Sequence, residues 1–205
     1  MKKLKIGVLA SGRGTNLQSI IDNIEKGELP AEIAIVISNV HGAYALTRAE
    51  NHNIKTAVID HKGYKSREEF EKVLIDVLKK EEVELVCLAG FMRLFSPFFL
   101  NTFKHRVMNI HPALLPSFPG VHAQKQALDY GVKVSGCTVH FVDEGTDTGP
   151  IILQESIKVL DDDSEESLSK KILEKEHILY PKAIKLFAEG KLEVMGRKVL
   201  INNDK

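Results

Sequence analysis

Asn109 and His111 stand two residues apart where a short apolar run gives way to "PALLPSFPG" (112–120), a loop stiffened by three prolines. Residues at i and i+2 of an extended segment project to the same side, so both side chains can face one pocket. Asparagine donates hydrogen bonds without titrating, and histidine gives or takes a proton near neutral pH. Together they suit the stabilisation of a developing oxyanion coupled to proton movement. A histidine before a proline is more often a packed or capping residue, so the pair needs further partners to count as a site. The segment "HFVDEGTDTGPII" (140–152) offers three: Asp143, Glu144 and Asp147. A carboxylate commonly sets the tautomer of a catalytic histidine and stabilises its charged form, and any of the three could serve. The alternative is a solvated acidic turn. His140 falls in an alternating strand pattern and is expected to be a structural core residue.

A different chemistry is suggested by "ASGRGTNLQSII" (10–21), a glycine-rich turn between an apolar run and a helical pattern. Glycines let backbone N–H groups approach an anion, and the helix start adds a favourable dipole. The spacing lacks the third glycine of a dinucleotide fingerprint, and "SN" (38–39) closes the next strand without a ribose-binding acid. There is no Walker lysine either, so one phosphate group is the best fit, the alternative being a tight turn that needs glycine only for its geometry. Glu176 interrupts the helical stripe of Leu168, Ile172, Leu179 and Ala183, which makes it either an inward carboxylate in need of a partner or a side chain that a rotated helix lets reach water. Histidines 41, 52, 61, 105, 122 and 177 show no metal-ligand spacing, and no serine sits in a G-x-S-x-G elbow. Neither a metal nor a covalent hydrolase is expected.

Apolar runs at 5–10, 32–38, 56–60, 84–90 and 106–110 alternate with helical patterns and must position these groups. This alternation predicts an α/β fold with an open, mostly parallel, Rossmann-like sheet, whose sites lie at the carboxyl ends of the strands. Leu17, Ile20, Ile21 and Ile24 trace one helix face, and Phe70, Val73, Leu74 and Val77 another. Ser66 with Glu69 predicts a capping box at the start of the second. A short helix over 123–130 is followed by "VSGCTVHFVD" and "PIILQESIKV", an expected antiparallel pair in the C-terminal part. The acidic "DDDSEES" (161–167) reads as a helix start, Pro181 is expected to kink or split the segment 164–189, and a hairpin is expected around 195–197.

With 205 residues the chain is expected to be one domain, 1–205, with a phosphate-binding half over about 1–100 and a catalytic half over about 101–205. Lys plus Arg and Asp plus Glu both number 28, so no global field draws nucleic acid or an anionic membrane, and the partners are expected to be small molecules. Cys87 and Cys137 lie in apolar strand patterns, which favours core packing over a disulfide and a cytoplasmic setting. Gly12, Arg13 and Gly14 end the N-terminal apolar run, so neither a signal peptide nor a membrane helix is expected.

With "SGRGTNLQ" (11–18), "AGFMRLFS" (89–96), "NIHPALLPSFPG" (109–120), "HFVDEGTDTGPIILQ" (140–154) and "EHILYP" (176–181) in this order, the chain resembles the phosphoribosylglycinamide formyltransferases, folate-dependent enzymes of purine synthesis. The resemblance spans almost the whole length and implies the formyltransferase fold. It implies that Asn109, His111 and Asp147 are the catalytic trio. It assigns Gly14, Thr15, Asn16 and Glu176 to phosphoribosylglycinamide. Arg67, Met92, Arg93, Leu94, Phe95, Asn109 and Asp143, with the rest of the 143–147 loop, would hold the co-substrate 10-formyltetrahydrofolate. The family's Leu-Pro bond, here Leu115-Pro116, can be cis. Asp147 would orient His111 and raise its pKa. The implied enzyme needs no metal and works as a monomer or homodimer. Rivals are methionyl-tRNA formyltransferase, expected to carry a further C-terminal domain, and formyltetrahydrofolate hydrolase, expected to carry an N-terminal regulatory domain. A non-catalytic sugar-phosphate-binding module is a third.

Overall fold

Runs rich in valine, isoleucine and leucine build three of the first four strands, because helices cover both faces of a parallel sheet and leave no polar side. The computed structural model describes residues 3–202, which gather into two compact units, one up to Met108 and one from Asn109. In the first, β1 (Leu4–Leu9), β2 (Ala31–Ser38), β3 (Thr56–Val58) and β4 (Leu85–Leu88) take the order β3-β2-β1-β4, and every neighbouring pair is parallel. Crossovers run through α1 (Thr15–Glu25), α2 (Tyr44–Asn51) and α3 (Arg67–Lys80), and α4 (Pro97–Thr102) follows β4. Ile6, Val8, Leu9, Val36, Leu85 and Val86 are buried in the core between them.

The cap of α3 forms with one change. Ser66 Oγ accepts the Glu69 N–H at 3.1 Å, but the Glu69 carboxylate reaches back to the Lys65 N–H instead of closing on Ser66. The helix is also rotated from the expected face: Phe70, Glu71, Leu74, Ile75 and Leu78 are buried, while Val73 is on the surface. The rotation is possible because buried Glu71 has partners, accepting the N–H and the hydroxyl of Ser96. Ser96 precedes α4, so the carboxylate also meets the positive end of that short helix.

The chain enters the second unit along β5 (Val107–His111). There α5 (Ala123–Tyr130) leads to β6 (Val134–Phe141), which pairs antiparallel with β7 (Ile151–Lys158). After α6 (Glu165–Ala188), the hairpin β8 (Leu192–Met195) and β9 (Lys198–Ile201) closes the unit, with β9 beside β7 in parallel. The fold is therefore α/β, parallel in its first strands and antiparallel in most of its last ones.

Ser164 and Ser167 cap α6 reciprocally, and Glu165 and Glu166 occupy its first turn, as the acidic run predicts. The expected split at Pro181 does not occur. A proline interior to a helix costs about 3 kcal/mol. Tyr180, Pro181, Ala183 and Ile184 are buried, and α6 packs on β6 and β7, a burial large enough to offset that cost. Among the described residues no helix is long and apolar enough to cross a membrane.

Candidate active site

At the end of β5, Asn109 and His111 converge on one carboxylate. His111 Nδ1 lies 3.3 Å from Asp147 Oδ2, and Asn109 Nδ2 lies 3.5 Å from Asp147 Oδ1. Asp147 holds this position with φ 55°, a left-handed conformation that aspartate tolerates better than most residues, and it accepts the Gly120 N–H at 2.8 Å. That bond joins the acidic loop to the end of the proline loop. Leu115-Pro116 within the proline loop is cis.

The other two acids do not reach His111. Asp143 Oδ1 accepts the Gly145 N–H and the Thr148 hydroxyl, at 3.1 and 2.6 Å, which braces its own loop, and Glu144 is exposed. A Cβ on Gly149 would lie 1.8 Å from the Phe141 carbonyl oxygen, so the return of this loop requires glycine.

His140 takes a role that alternation does not predict. The β6/β7 register slips between Val139 and His140, so the pairing shifts by a residue just before it while the strand runs on to Phe141. Its ring is buried, yet Nε2 lies 3.2 Å from Asn109 Nδ2 while Nδ1 meets the Phe141 carbonyl at 2.8 Å. A proton on Nδ1 leaves Nε2 as acceptor for the amide, so His140 sets which way Asn109 is turned. At 3.6 Å from Asp147, the same Nε2 is a weaker partner for the carboxylate than for the amide.

His111 Nε2 meets the Phe118 carbonyl at 2.8 Å, which places its proton there and leaves Nδ1 basic in the neutral ring. Burial drives the His111 pKa down, Asp147 and the Phe118 carbonyl pull it partly back, and the net position is below the ordinary histidine value. This reverses the expected direction: Asp147 does act to raise it, but desolvation outweighs the carboxylate. Burial acts to raise the Asp147 pKa, and the Gly120 N–H with the nearby imidazoles brings it below the usual aspartate range. The pair at rest is thus a neutral base beside an ionised acid, and protonation of His111 creates a charge with a counter-charge waiting.

In the first unit the glycine turn starts α1. Gly14 is the helix N-cap with φ 69°, no side chain caps the end, and a Cβ there would sit 2.7 Å from Ala45 Cα and Cβ. Thr15 and the buried Asn16 form the first turn. Ser11, which no motif singles out, links this turn to the 92–95 segment: its hydroxyl donates to Asn39 Oδ1 at 2.7 Å and accepts the Met92 N–H at 3.1 Å. Met92, Arg93 and Leu94 are exposed, but Phe95 is buried and stacks on Phe99 with centroids 4.0 Å apart, so only its backbone can meet a ligand. Arg67 is exposed at the first position of α3.

On α6, Glu176 is buried, which decides for the inward one of its two readings. Burial, followed by the charges of Glu176 and Glu155, pushes the Cys137 thiol up to about 12, so this cysteine is an inert core group. Cys87 is also a buried free thiol, and no group of three His, Cys, Asp or Glu among the described residues is placed to hold a metal.

The formyl transferase family description matches residues 4–184. The chain belongs to that family. A formyl transferase with a nearly superposable fold is the crystal structure of glycinamide ribonucleotide transformylase 1 from Symbiobacterium toebii, with TM-score 0.97 and 50% identity over 98% of this chain and 95% of that one. Phosphoribosylglycinamide formyltransferase from Haemophilus influenzae is 42% identical over 93% of this chain and 90% of its own length. The trifunctional purine biosynthetic protein adenosine-3 of Gallus gallus is 48% identical over 94% of this chain. This formyl transferase chain spans only 19% of that longer protein.

Proposed function

We propose that this formyl transferase moves the formyl group of 10-formyltetrahydrofolate to the glycine amine of 5'-phosphoribosylglycinamide, giving the N-formyl product and tetrahydrofolate in purine biosynthesis. The observation that carries the reading is the convergence of Asn109 and His111 on Asp147, an amide donor and a neutral base set on one ionised acid. The names and near-full-length similarity of the Haemophilus and Symbiobacterium proteins support it.

The amine attacks the formyl carbon, a tetrahedral oxyanion forms, and the bond from that carbon to the folate N10 breaks. Asn109 exchanges its long contact with Asp147 for the formyl oxygen and donates to the negative charge as it develops. His111, neutral at rest, takes the proton the amine loses and becomes an imidazolium stabilised by Asp147; the proton passes on to the departing N10. Charges and protons balance without a covalent enzyme intermediate or a metal. Gly14, Thr15 and Asn16 receive the substrate phosphate at the open start of α1, and Glu176 contacts the same substrate. Arg67, Met92, Arg93, Leu94, the Phe95 backbone, Asn109 and the Asp143 loop hold the folate. The same reading makes the protein a cytoplasmic enzyme of small molecules, acting as a monomer or homodimer.

The test is to incubate the purified protein with 10-formyltetrahydrofolate, with and without phosphoribosylglycinamide, and follow both compounds. Consumption of both in equal amounts is expected. Loss of folate formyl alone would make the protein a hydrolase, and consumption of neither would leave a binding module.

A further inference from the structure

The outer side of the glycine turn is held by α2. The Ala45 N–H donates to the Gly12 carbonyl at 3.0 Å, and Arg48 Nε donates to the next carbonyl, that of Arg13, at 2.9 Å. Two consecutive carbonyls are thereby turned toward α2. Opposite them the N–H groups of Arg13, Gly14 and Thr15 meet no acceptor among the described residues, the arrangement an anion needs.

Arg48 is itself fixed on three sides. Its Nη1 donates to Gln18 Oε1 at 3.0 Å, and its guanidinium lies 4.9 Å from the centroid of the Tyr44 ring. Gln18 Nε2 donates to Asp22 Oδ1 at 2.9 Å and lies 3.1 Å from His52 Nε2, while His52 Nδ1 is 2.6 Å from Glu25 Oε1. With the His52 proton on Nδ1 facing Glu25, Nε2 accepts from the Gln18 amide, which leaves Oε1 turned to Arg48. Each group in this chain has one consistent donor or acceptor role, and its last bond ends on the phosphate turn.

We infer that Arg48, oriented by Gln18, is a positioning residue that holds the 12–16 turn in shape as a phosphomonoester site. It acts through the Arg13 carbonyl and not by touching substrate. The inference rests on the proposed function for the identity of the substrate, but its first measurement does not. Ribose 5-phosphate binding is titrated calorimetrically for the wild type, Arg48→Met, Arg48→Lys and Gln18→Ala. Losing a hydrogen bond from a charged donor predicts an affinity at least about tenfold weaker for Arg48→Met. Lysine keeps the charge but not the fork, so Arg48→Lys is expected to recover only part of the loss, and Gln18→Ala to show a smaller loss of the same kind. The second measurement compares kcat/KM for phosphoribosylglycinamide with that for its dephosphorylated analogue. The variants should lose activity on the phosphorylated substrate only, with the folate KM unchanged.

Unchanged ribose 5-phosphate affinity, equal losses on both substrates, or full recovery by Arg48→Lys would each overturn the inference. Should Arg48→Met fail to fold, the lysine and Gln18 variants decide it on the same criteria. A wild type that binds ribose 5-phosphate but transfers no formyl group would overturn the functional reading and leave this one to the titration.

Discussion

Replacing Asp147 with asparagine exchanges one oxygen for an amide nitrogen of nearly equal size, and the geometry fixes the consequences. The remaining carbonyl oxygen can still accept the Gly120 N–H, which lies 2.8 Å from Asp147 Oδ2, so the loop connection survives. The new NH2 then takes the Oδ1 place beside Asn109 and His140, and His111 Nδ1 faces a neutral oxygen that gives an imidazolium no counter-charge. Catalysis needs the opposite, an imidazolium beside a carboxylate. At 3.3 Å and an effective dielectric near 20, the charge pair is worth about 5 kcal/mol. If between half and all of this is realised in the transition state, kcat falls by about 70-fold to about 5,000-fold, at 1.36 kcal/mol per factor of ten. Both KM values should stay within about threefold of the wild type, because the interaction belongs to the charged state formed during reaction. His111 already titrates below the ordinary histidine value, and losing Asp147 removes a contribution that raises it. Its pKa in the variant must therefore fall further, by NMR titration of the ring. Combined with His111→Ala, the substitution should cost much less than the product of the two single losses. Multiplicative losses, an unmoved His111 titration, or a larger loss in Asp143→Asn than in Asp147→Asn would refute the pairing.

Gly14→Val adds a side chain where even a Cβ meets Ala45 at 2.7 Å, and should raise the KM for phosphoribosylglycinamide at least about tenfold while sparing the folate KM; steady-state kinetics on a variant with unchanged far-UV circular dichroism checks it. Arg67→Ala should weaken folate binding more than it lowers kcat, since a contact remote from the reacting atoms acts alike in ground and transition states; fluorescence titration against single-turnover rates separates the two. Asp163 is held at about 2, first by Lys171, whose Nζ is 2.7 and 2.8 Å away, and then by the Leu160 N–H and Ser167. A depressed carboxyl stabilises the fold above its unfolded pKa and loses that effect as it is protonated. The Tm deficit of Asp163→Asn should therefore be full at neutral pH and vanish as the pH falls from about 4 to about 2.

Position in sequence reveals the parts of this molecule that depend on local rules. Apolar runs locate β1, β2 and β4 within a residue or two, and helical spacing reveals the helices α1 and α3, because burial of a regular element imposes its period directly on the chain. The short helices α2 and α4 leave no such signal. Neither has a side-chain cap bond, and six to eight residues hold too few turns to show a period. The face of α3 departs from its apolar spacing for a related reason. Glu71 reads as a surface residue until Ser96, 25 positions away, supplies both of its partners, and no local pattern carries that information.

The site divides along the same line. Asn109 and His111 stand two residues apart on one strand, so their common direction can be read from spacing alone. Asp147 cannot be told from Asp143 and Glu144 by type or spacing, and only the family resemblance selects it. What separates the three in the structure is a left-handed backbone at Asp147 that turns its carboxylate to Gly120 and His111, while Asp143 spends its oxygen on its own loop. His140 is hidden by a register slip one residue before it, and Arg48 by serving the turn from outside. The direction of the His111 pKa runs against expectation because a charge partner is visible in sequence and desolvation is not. That reversal matters for the chemistry. In the proposed transfer, a histidine raised by Asp147 would be more fully protonated at rest and less available to take a proton from the attacking amine. A histidine lowered by burial is more available for that step, and in the proposed reading Asp147 acts most strongly once the charge has formed.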